Sequence, residues 1–562
     1  MIERFLRQSE VCSYSDFCKN LHIIVPNNFN FAYDVVDVIA SKTPNRPALL
    51  WTDVNGGERR FTFGEISELS DKTAMFYSRL GIGHGDRVML IMKRHWQFWT
   101  TMMALHKLGA IAIPATHLLT AKDIGYRCNR ANIKMIICAG DAVVTGHLAD
   151  ALPYCPTVKH VVTTGPERPD GWYLLDDEVE KSPRYVRPAF VNKNSDVMLL
   201  YFTSGTSGEP KMVAHDFTYP LGHIVTASYW HDIRQGSRHL TVADTGWGKA
   251  VWGKLYGQWL AEAEVFVYDF DKFEPVKLLE KMADYHITSF CAPPTIYRFL
   301  IRENIKAYDL SALKSCTTAG EALNPSVALR WEELTGISLH EAFGQTETTL
   351  TIGTFPWVRP RPGSMGLPNP QYDIRLVDNG MNEVEPGQAG EIVIHVPEDG
   401  PKPVGLFKEY LDDPELTKQA WHDGYYHTGD IARRDDDGYF WFVGRKDDVI
   451  KSSGYRIGPF EVESACLTHP AVVECAVTAV PDPIRGQIVK ATIVLAKEAA
   501  VNSGPELVKE IQDHVKRITA PYKYPRIIEF VSELPKTISG KIRHVEIRQA
   551  DAKGCQEGTH RQ

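Results

Sequence analysis

The sequence predicts an α/β protein with more than one domain, and three observations lead to this fold class. The chain has 562 residues, several times the length of one ordinary domain. Hydrophobic residues make up 43% and charged residues 23%, which is a normal globular composition. Over the first four hundred residues, helical stripes alternate with short apolar runs. That alternation is typical of parallel strands flanked by helices.

The first helix and strand of this pattern lie between residues 66 and 92. Ile66, Leu69, Thr73, Phe76 and Leu80 recur at steps of three and four residues, which predicts an amphipathic helix. A glycine-rich break follows, and then the apolar run RVMLIM predicts a buried strand. The same order returns later, with a helical stripe at 276–282 and a strand at 287–292.

The pattern changes after about residue 373. Short alternating strands at 374–377 and 391–396, separated by Gly, Pro and Asp clusters, predict an antiparallel sheet or barrel. Beyond residue 447 the sequence predicts a compact α+β unit of about 115 residues, enough for an independent domain. We therefore expect domains at 1–446 and 447–562. The elements predicted in the second are helix 459–467, strands 472–480 and 488–496, helix 505–518 and strand 526–531.

Charge and composition limit the kinds of molecule that we expect the protein to bind and the compartment in which we expect it. The formal net charge is −8, which disfavours a dedicated nucleic-acid binder. No apolar run approaches the 18 residues of a spanning helix, so we expect no integral membrane contact. The N-terminus, MIERFLRQSE, resembles neither a secretory signal nor a transit peptide. The ten cysteines form no CxxC pair and predict thiols in a reducing compartment, so we expect a cytoplasmic protein.

The first chemical motif is YFTSGTSGEPKM, at 201–212. Its small residues let backbone N–H groups approach a ligand, its hydroxyls add hydrogen bonds, and Lys211 adds positive charge. All three features suit a polyphosphate. It is not a Walker A loop, because Gly208 is followed by Glu209 and Pro210. The alternative is a flexible Ser/Gly loop.

The second motif is EAFGQTETT, at 341–349. Glu347 is a hard oxygen ligand beside the hydroxyls of Thr346 and Thr348. One carboxylate together with substrate phosphates is the usual way to hold Mg²⁺. An exposed glutamate near the end of a strand is the alternative.

The third motif joins HTGD at 427–430 with GRKD at 444–447. An aspartate behind a glycine turn, here Asp430, accepts hydrogen bonds from vicinal hydroxyls such as those of a ribose. Arg445 offers a donor fork to the same sugar. A turn-capping role for Asp430 is the alternative.

Two further motifs lie in the predicted C-terminal domain. In KSSGYR, at 451–456, Gly454 permits close approach to the backbone. In LPKTISGKIR, at 534–543, Lys541 follows a Ser-Gly turn, from which a long cation reaches into a cleft between domains. For a single lysine on a turn, a solvated surface position is the alternative.

The ordered set of motifs decides between these alternatives. The chain resembles the adenylate-forming superfamily of acyl-CoA synthetases, firefly luciferases and peptide-synthetase adenylation domains, and the likeness covers essentially everything past residue 30. The segments 241–249, 343–349 and 520–526 most resemble medium-chain acyl-CoA synthetases. The matching motifs are TSGTSGEPK at 203–211, GEAL at 320–323, FGQTE at 343–347, HTGD at 427–430, GRKDDVIKSSGYRI at 444–457 and PKTISGK at 535–541.

The resemblance implies a fold and a reaction. The fold is a large N-terminal domain of two doubly wound sheets and a small β-barrel-like subdomain, followed by a mobile α+β domain that turns about a hinge at Asp447. The enzyme is an ATP-dependent acid–thiol ligase that uses Mg²⁺. A carboxylate attacks the α-phosphate of ATP, which gives an acyl-adenylate and pyrophosphate; the thiol of coenzyme A then displaces AMP.

The resemblance also implies residue roles. Lys541 bridges the carboxylate and the α-phosphate, Thr346 bonds the α-phosphate, and Glu347 holds Mg²⁺. Coenzyme A contacts Ser453, Gly454 and Arg456, and the acyl pocket includes Trp247 and Gly344. The residues implied for ATP and AMP are Thr203, Ser204, Gly205, Thr206, Ser207, Gly208, Lys211, Gly320, Glu321, Ala322, Glu341, Phe343, Gly344, Asp430 and Arg445.

The acid is predicted from one position. Acetate-specific relatives carry a Trp where this chain has Gly344, so the missing side chain predicts room for a longer tail. Each additional buried CH₂ contributes about 0.8 kcal/mol. We expect medium-chain fatty acids or aryl acids of similar girth. Trp247 is either a wall near the carboxylate or an ordinary core aromatic.

Other functions share some of these motifs. A carrier-protein-loading adenylation enzyme shares every motif of the first step, and a luciferase-like oxidase is a further variant. A nucleotide-binding regulator without catalysis is disfavoured, because such a module has no evident need for Lys541. The expected partners are ATP, a carboxylic acid and coenzyme A, with a homodimer left open.

Overall fold

In the computed structural model of the protein, the described residues are 1–165, 168–203, 209–397, 400, 402–452, 455–501, 503–536 and 542–556, the side chains at 456, 498 and 552–556 excepted. The second and third motifs lie wholly within these ranges. Three motifs have residues outside them: 204–208 in the first motif, 453–454 in KSSGYR and 537–541 in LPKTISGKIR.

The first sheet is parallel through its centre and antiparallel at both edges. Its central strands are largely buried, as expected for a sheet covered on both faces, although three of them carry buried serine, threonine or histidine side chains: Arg238–Thr241, Ser289–Cys291 and Ser315–Ala319. Along the sheet the strands run in the order Leu367–Pro368, Ile352–Gly353, Leu339–Phe343, Ser315–Ala319, Ser289–Cys291, Arg238–Thr241, Glu264–Asp269, Pro47–Asp53 and Glu58–Thr62.

The second sheet is also mainly parallel. An antiparallel edge is formed where Val197–Thr203 pairs with Lys211–Asp216 and the latter with Glu409–Tyr410. The strand order is Glu409–Tyr410, Lys211–Asp216, Val197–Thr203, Ile111–Pro114, Arg87–Ile91, Met135–Cys138, His160–Thr163 and Tyr173–Leu174. The predicted strands at 87–92 and 287–292 are confirmed as Arg87–Ile91 and Ser289–Cys291.

Helices cover both sheets. The predicted helix at 66–80 is Phe63–Arg79, and a capping box between Thr62 and Glu65 fixes its start. Gln97–Leu108 is buried along its whole length and packs in the core that both sheets share. The other α-helices of the larger part are Tyr14–Asn20, Asp37–Lys42, Ala121–Arg130, Ala142–Ala151, Leu175–Glu180, Tyr219–Ile224, Gly248–Gly253, Tyr256–Leu260, Pro275–Asp284, Pro294–Leu300, Pro325–Thr335 and Pro414–Ala420.

A smaller antiparallel sheet follows, as predicted from the change of pattern near residue 373. Asp373–Val377, Ala389–His395, Tyr425–Arg434 and Trp421–His422 lie side by side, and Phe440–Arg445 pairs with Tyr425–Arg434. This last pairing sets Asp430 directly opposite Arg445. The third motif therefore places its two halves on adjacent strands.

The C-terminal part is an α+β unit with its own core. Its predicted elements are confirmed, with strand ends shifted by one or two residues. Its elements are the strands Ile450–Ser452, Tyr455–Ile457, Val472–Asp482, Gly486–Leu495 and Ile527–Val531 and the helices Pro459–Leu467, Lys497–Ala500, Pro505–Ile518 and His544–Gln556. Among the helices in the described part of the chain, none combines the length and apolarity that a bilayer crossing requires.

Candidate active site

A cavity of about 650 Å³ opens where the carboxyl ends of strands in the first sheet meet the hairpin of the second sheet and the small antiparallel sheet. Ligands of open α/β sheets bind at such carboxyl ends. The cavity brings together most of the sequence-predicted nucleotide residues. Those that line it are Thr203, Lys211, Gly320, Glu321, Ala322, Glu341, Phe343, Gly344, Thr346, Glu347, Asp430 and Arg445.

The predicted phosphate loop begins and ends at the cavity. Thr203 and Lys211 face each other in the antiparallel pair formed by Val197–Thr203 and Lys211–Asp216, and both line the cavity. The Lys211 Nζ lies 5.1 Å from the centre of the Tyr410 ring. The loop residues Ser204, Gly205, Thr206, Ser207 and Gly208 lie outside the described residues.

The segment after Leu339–Phe343 carries Thr346 and Glu347. The Tyr410 hydroxyl donates to Glu347 Oε1 at 2.9 Å, and the backbone N–H of Phe407 donates to the Glu347 carbonyl at 2.7 Å. Within the described residues no group of three or more His, Cys, Asp or Glu side chains forms a metal cage. One carboxylate beside hydroxyls fits Mg²⁺, which takes most of its ligands from phosphates and water.

Asp430 is buried and held by two neighbours. Arg445 Nη1 lies 3.1 Å from Asp430 Oδ1, and the Gln345 amide donates to Asp430 Oδ2 at 2.5 Å and to the Thr428 carbonyl at 2.8 Å. Gln345 in turn accepts a hydrogen bond from the Tyr426 hydroxyl at 2.7 Å. Burial raises the pKa of Asp430, while Arg445 and Gln345 oppose that rise. The carboxylate is therefore oriented before any ligand arrives.

The opposite wall carries the residues predicted near adenine. Gly320 follows Ser315–Ala319 with φ of 101°, a conformation that favours glycine. Glu321 accepts a hydrogen bond from the Thr295 hydroxyl at 2.8 Å. Glu341 accepts one from the backbone N–H of Leu323 at 3.2 Å, and burial raises the pKa of Glu341 to about 8. This carboxyl is thus largely protonated at neutral pH.

The acyl side differs from the expectation. The space that a side chain at Gly344 would take is filled by Trp252, whose ring tip overlaps the position of an ideal Cβ placed there. The absent side chain at 344 therefore leaves no open room in this structure. Trp247 caps the helix Gly248–Gly253 and is half-buried; it is not among the described residues that line the cavity, although its neighbour Gly248 faces Thr346.

The C-terminal unit carries the residues predicted for coenzyme A and also Lys541, which is predicted for adenylate formation. Ser453, Gly454 and Lys541 fall outside the described residues, as does the side chain of Arg456. Asp447, the predicted hinge, is exposed in the turn between Phe440–Arg445 and Ile450–Ser452.

Several residues of the site were not predicted from sequence. Gln345 lies inside the FGQTE motif, so its position was visible although its role was not. Tyr410 and Tyr426 line the cavity and carry no local motif. Trp252 lies against Gly344 and is not among the described lining residues; it carries no local motif either. Glu391, which also lines the cavity, was missed as well. Burial alone would raise the pKa of Glu391, but its contacts with His427 and Lys446 outweigh burial and lower the pKa to about 2.

Comparisons with known proteins identify the family of the chain. A family model described as AMP-binding enzyme matches residues 36–411, and one described as AMP-binding enzyme C-terminal domain matches 461–541. The chain belongs to the AMP-binding enzyme family. It is 41% identical over 548 residues to acyl-coenzyme A synthetase ACSM3, mitochondrial, from Homo sapiens, with 96% of this chain and 93% of that protein covered.

Other AMP-binding enzymes and solved structures are similar. Acyl-coenzyme A synthetase ACSM4, mitochondrial, from Mus musculus is 41% identical over 531 residues, with 93% and 91% covered. The anthranilate CoA ligase AuaEII in complex with anthranoyl-AMP superposes with a TM-score of 0.85 at 28% identity, covering 95% of this chain and 99% of that one. The Brucella canis acyl-CoA synthetase gives 0.73 at 29%, covering 97% and 100%.

These findings confirm the predicted superfamily, the α/β fold class and the enzyme class of an acid–thiol ligase. ATP and coenzyme A as substrates agree with the family and its solved structures. These likenesses establish the family and the class of reaction. The roles of individual residues, the domain limits and the identity of the acid are proposals.

Proposed function

We propose that this enzyme activates a medium-chain fatty acid or an aryl acid of similar girth as its acyl-adenylate and then transfers the acyl group to coenzyme A. The observation that carries the proposal is the convergence of the phosphate hairpin, the 344–347 segment and the Asp430–Arg445 pair on one cavity. A cavity of about 650 Å³ lies within the ordinary size range of small-molecule sites.

In the proposed first step, the carboxylate oxygen attacks the α-phosphorus and pyrophosphate leaves. Two anions must be brought together, so positioned cations and donors supply the catalysis. Lys211, with the loop before it, would hold the β- and γ-phosphates. Thr346 would bond the α-phosphate, and Lys541 would lie between that phosphate and the acid.

The sugar and base would lie along the two walls of the cavity. Asp430, already oriented by Gln345 and Arg445, would accept from the ribose hydroxyls. The residues Gly320–Ala322, with Glu341 and Phe343, would line the adenine. Glu347 would hold Mg²⁺, which when bound neutralises charge on the ATP phosphates.

The second step would use the other face of the C-terminal unit. We propose domains at 1–446 and 447–562, with rotation about the exposed Asp447 between the half-reactions. Ser453, Gly454 and Arg456 would then line the channel for the pantetheine arm. Gly454→Leu should slow thioester formation from supplied acyl-adenylate about 100-fold while leaving pyrophosphate exchange unchanged, because the added side chain blocks only the channel. Normal coenzyme A turnover in this variant would remove the channel assignment.

The experiment that tests the function is a pyrophosphate-release screen. Acids of two to sixteen carbons and a set of benzoates are each incubated with the enzyme, ATP and Mg²⁺, with and without coenzyme A. We expect release that depends on the acid, and AMP turnover that also needs coenzyme A. Acetate as the preferred substrate by kcat/KM would contradict the proposed acid class.

A carrier-protein-loading enzyme is separated by the same screen. That function predicts acid-dependent pyrophosphate release without stimulation by free coenzyme A. Omission of Mg²⁺, with chelation, should abolish release in either case, because the ion that Glu347 is proposed to hold neutralises the triphosphate.

The cellular location and the oligomeric state of the protein remain predictions. The sequence predicts a cytoplasmic enzyme, whereas the names of the relatives include the word mitochondrial, which makes that compartment the alternative. Cell fractionation followed by immunoblotting separates the two. Light scattering of the purified protein tests the homodimer against a monomer of 63.2 kDa.

A further inference from the structure

The strand Lys211–Asp216 links the phosphate side of the cavity to the 344–347 segment. Lys211 lies at its start, and His215, four residues on, lies on the same face because side chains alternate along a strand. The His215 ring is buried, and its Nε2 lies 2.7 Å from the carbonyl oxygen of Thr346. A carbonyl only accepts, so Nε2 must carry the hydrogen and donate it.

The surroundings of His215 keep the ring in this orientation. The Tyr219 ring packs against the imidazole with centroids 3.8 Å apart. Burial lowers the pKa of His215 to about 3, so the ring stays neutral near physiological pH. His215 is absent from the described lining of the cavity, whereas Thr346 and Glu347 belong to it. The contact therefore reaches the cavity only through the backbone of its neighbour.

The next carbonyl along the segment is held as well. The backbone N–H of Phe407 donates to the Glu347 carbonyl at 2.7 Å. Two consecutive carbonyls are thus fixed by two different elements. Because each peptide is planar, fixing the Thr346 carbonyl also fixes the orientation of the Glu347 N–H.

We propose that His215 is a positioning residue for adenylate formation, which acts by holding the Thr346 carbonyl and thereby the Thr346 hydroxyl and the Glu347 carboxylate. This inference rests on the proposed function and deepens it. Without the imidazole, the half-buried Thr346 carbonyl would lose this partner, and the segment would shift to find another.

The test compares two replacements of His215 in the full-length enzyme by acid-dependent ATP–pyrophosphate exchange. His215→Leu should lower kcat about 100-fold, because a shift of about 1 Å at reacting groups has effects of this order. The KM for ATP should change less than about threefold, since uniform binding by the ribose and adenine contacts is retained. His215→Gln should recover kcat to within about tenfold of wild type, because its amide N–H₂ is a donor of similar reach.

Coupling to Thr346 separates positioning from a general loss of structure. In a Thr346→Ala background, His215→Leu should lower kcat by about tenfold or less, because the part of its effect that acts through the Thr346 hydroxyl is already lost and only the part through Glu347 remains. The matched control is His239→Leu, which removes another buried histidine, bonded to Ser289 and Thr241. It should lower the melting temperature and leave kcat within about twofold. A 100-fold loss from His215→Leu in both backgrounds would overturn the proposal.

Failure of this proposal and failure of the proposed function give different results. If the wild-type enzyme exchanges no pyrophosphate with any acid, the function itself is wrong. If the wild type is active and His215→Leu keeps its kcat, only the positioning role is overturned. Should His215→Leu not fold, His215→Gln and His215→Asn carry the same test, because the shorter amide of Asn does not reach the carbonyl; equal kcat in these two variants would overturn the role.

Discussion

The proposed nucleotide side of the cavity and the proposed acyl side are built in different ways. On the nucleotide side, Asp430 is held by Arg445 and Gln345 through hydrogen bonds of defined length. On the acyl side, Gly344 meets the ring of Trp252 by packing alone. Hydrogen bonding demands particular residue types, whereas a volume can be filled from any neighbouring position. The residues proposed to bind ATP therefore lie in recognisable sequence motifs, whereas the residues proposed to shape the acyl pocket do not.

Lys541 would lie where the two sides meet, and its loss has the largest expected effect. Lys541→Ala should lower acid-dependent pyrophosphate exchange about 1000-fold, because a donor aimed at developing charge is worth that order. Thioester formation from supplied acyl-adenylate should stay within about threefold. Rapid-quench measurement of each half-reaction gives both numbers.

Lys536→Ala is the matched control for that comparison. Lys536 lies in the same motif and pairs with Glu474 at 2.6 Å. This variant should leave both half-reactions unchanged. Equal losses in both half-reactions of Lys541→Ala would refute a role confined to the first step.

Gln345 tests the nucleotide side alone. Gln345→Leu removes the donors to Asp430 and Thr428, and a hydrogen bond to a charged group is worth about 1.5–3 kcal/mol. We expect the KM for ATP to rise about 10- to 100-fold with little change in chain-length preference. Steady-state kinetics over several acids check both. Gln512→Leu also removes two hydrogen bonds that an amide donates, but Gln512 is not among the described lining residues, so this variant should alter neither quantity. An unchanged KM for ATP in Gln345→Leu would contradict the account.

Trp252 tests the acyl side alone. Trp252→Ala should favour acids two to four carbons longer by about 10- to 100-fold in relative kcat/KM, since each buried CH₂ contributes about 0.8 kcal/mol. The KM for ATP should hold. Trp247→Ala, measured in parallel over the same acid series, tests whether the predicted wall exists. An unchanged chain-length profile in Trp252→Ala would show that the acid is bound elsewhere.

Glu341 tests the stability of the site rather than its activity. Its pKa is about 8 in the folded protein against an ordinary value of 4.5, so the folded state holds a proton that the unfolded state has released between these pH values. Stability should therefore fall as pH rises through this window, by at most about 1.4 kcal/mol per pH unit. Glu341→Gln should lack this contribution. Denaturant titrations from pH 5 to 8.5 check it, with the exposed Glu333→Gln as control; parallel curves for wild type and Glu341→Gln would contradict it.

Much of the fold was predictable because the spacing of apolar residues along the chain reflects which side chains are buried. The helix at 63–79, the strands at 87–91 and 289–291, and the elements of the C-terminal unit follow from spacing alone. Strand order was not predictable from pattern, since the pairing of Tyr425–Arg434 with Phe440–Arg445 depends on tertiary packing. The pairing nevertheless explains why Asp430 and Arg445 act together.

The residues of the candidate site also fall into those that could be predicted from the sequence and those that could not. Residues from five of the six matching motifs line one cavity. Gln345 lies in one of these motifs, and its contacts to Asp430 and Thr428 were enough to suggest its role. Trp252 could not have been found, because it lies 92 residues away in sequence from Gly344 and belongs to an ordinary buried helix. His215 is a similar case: a histidine in a strand acquires meaning only when its partner is known.

The most direct test of the central claim uses a carboxylic acid labelled with ¹⁸O in its carboxyl group. The enzyme is incubated with the labelled acid, ATP, Mg²⁺ and coenzyme A, and the phosphate-containing products are analysed by mass spectrometry. Attack of the carboxylate on the α-phosphorus predicts one ¹⁸O atom in AMP and none in pyrophosphate. Formation of ADP, or label in phosphate or pyrophosphate in place of AMP, would contradict an acyl-adenylate mechanism.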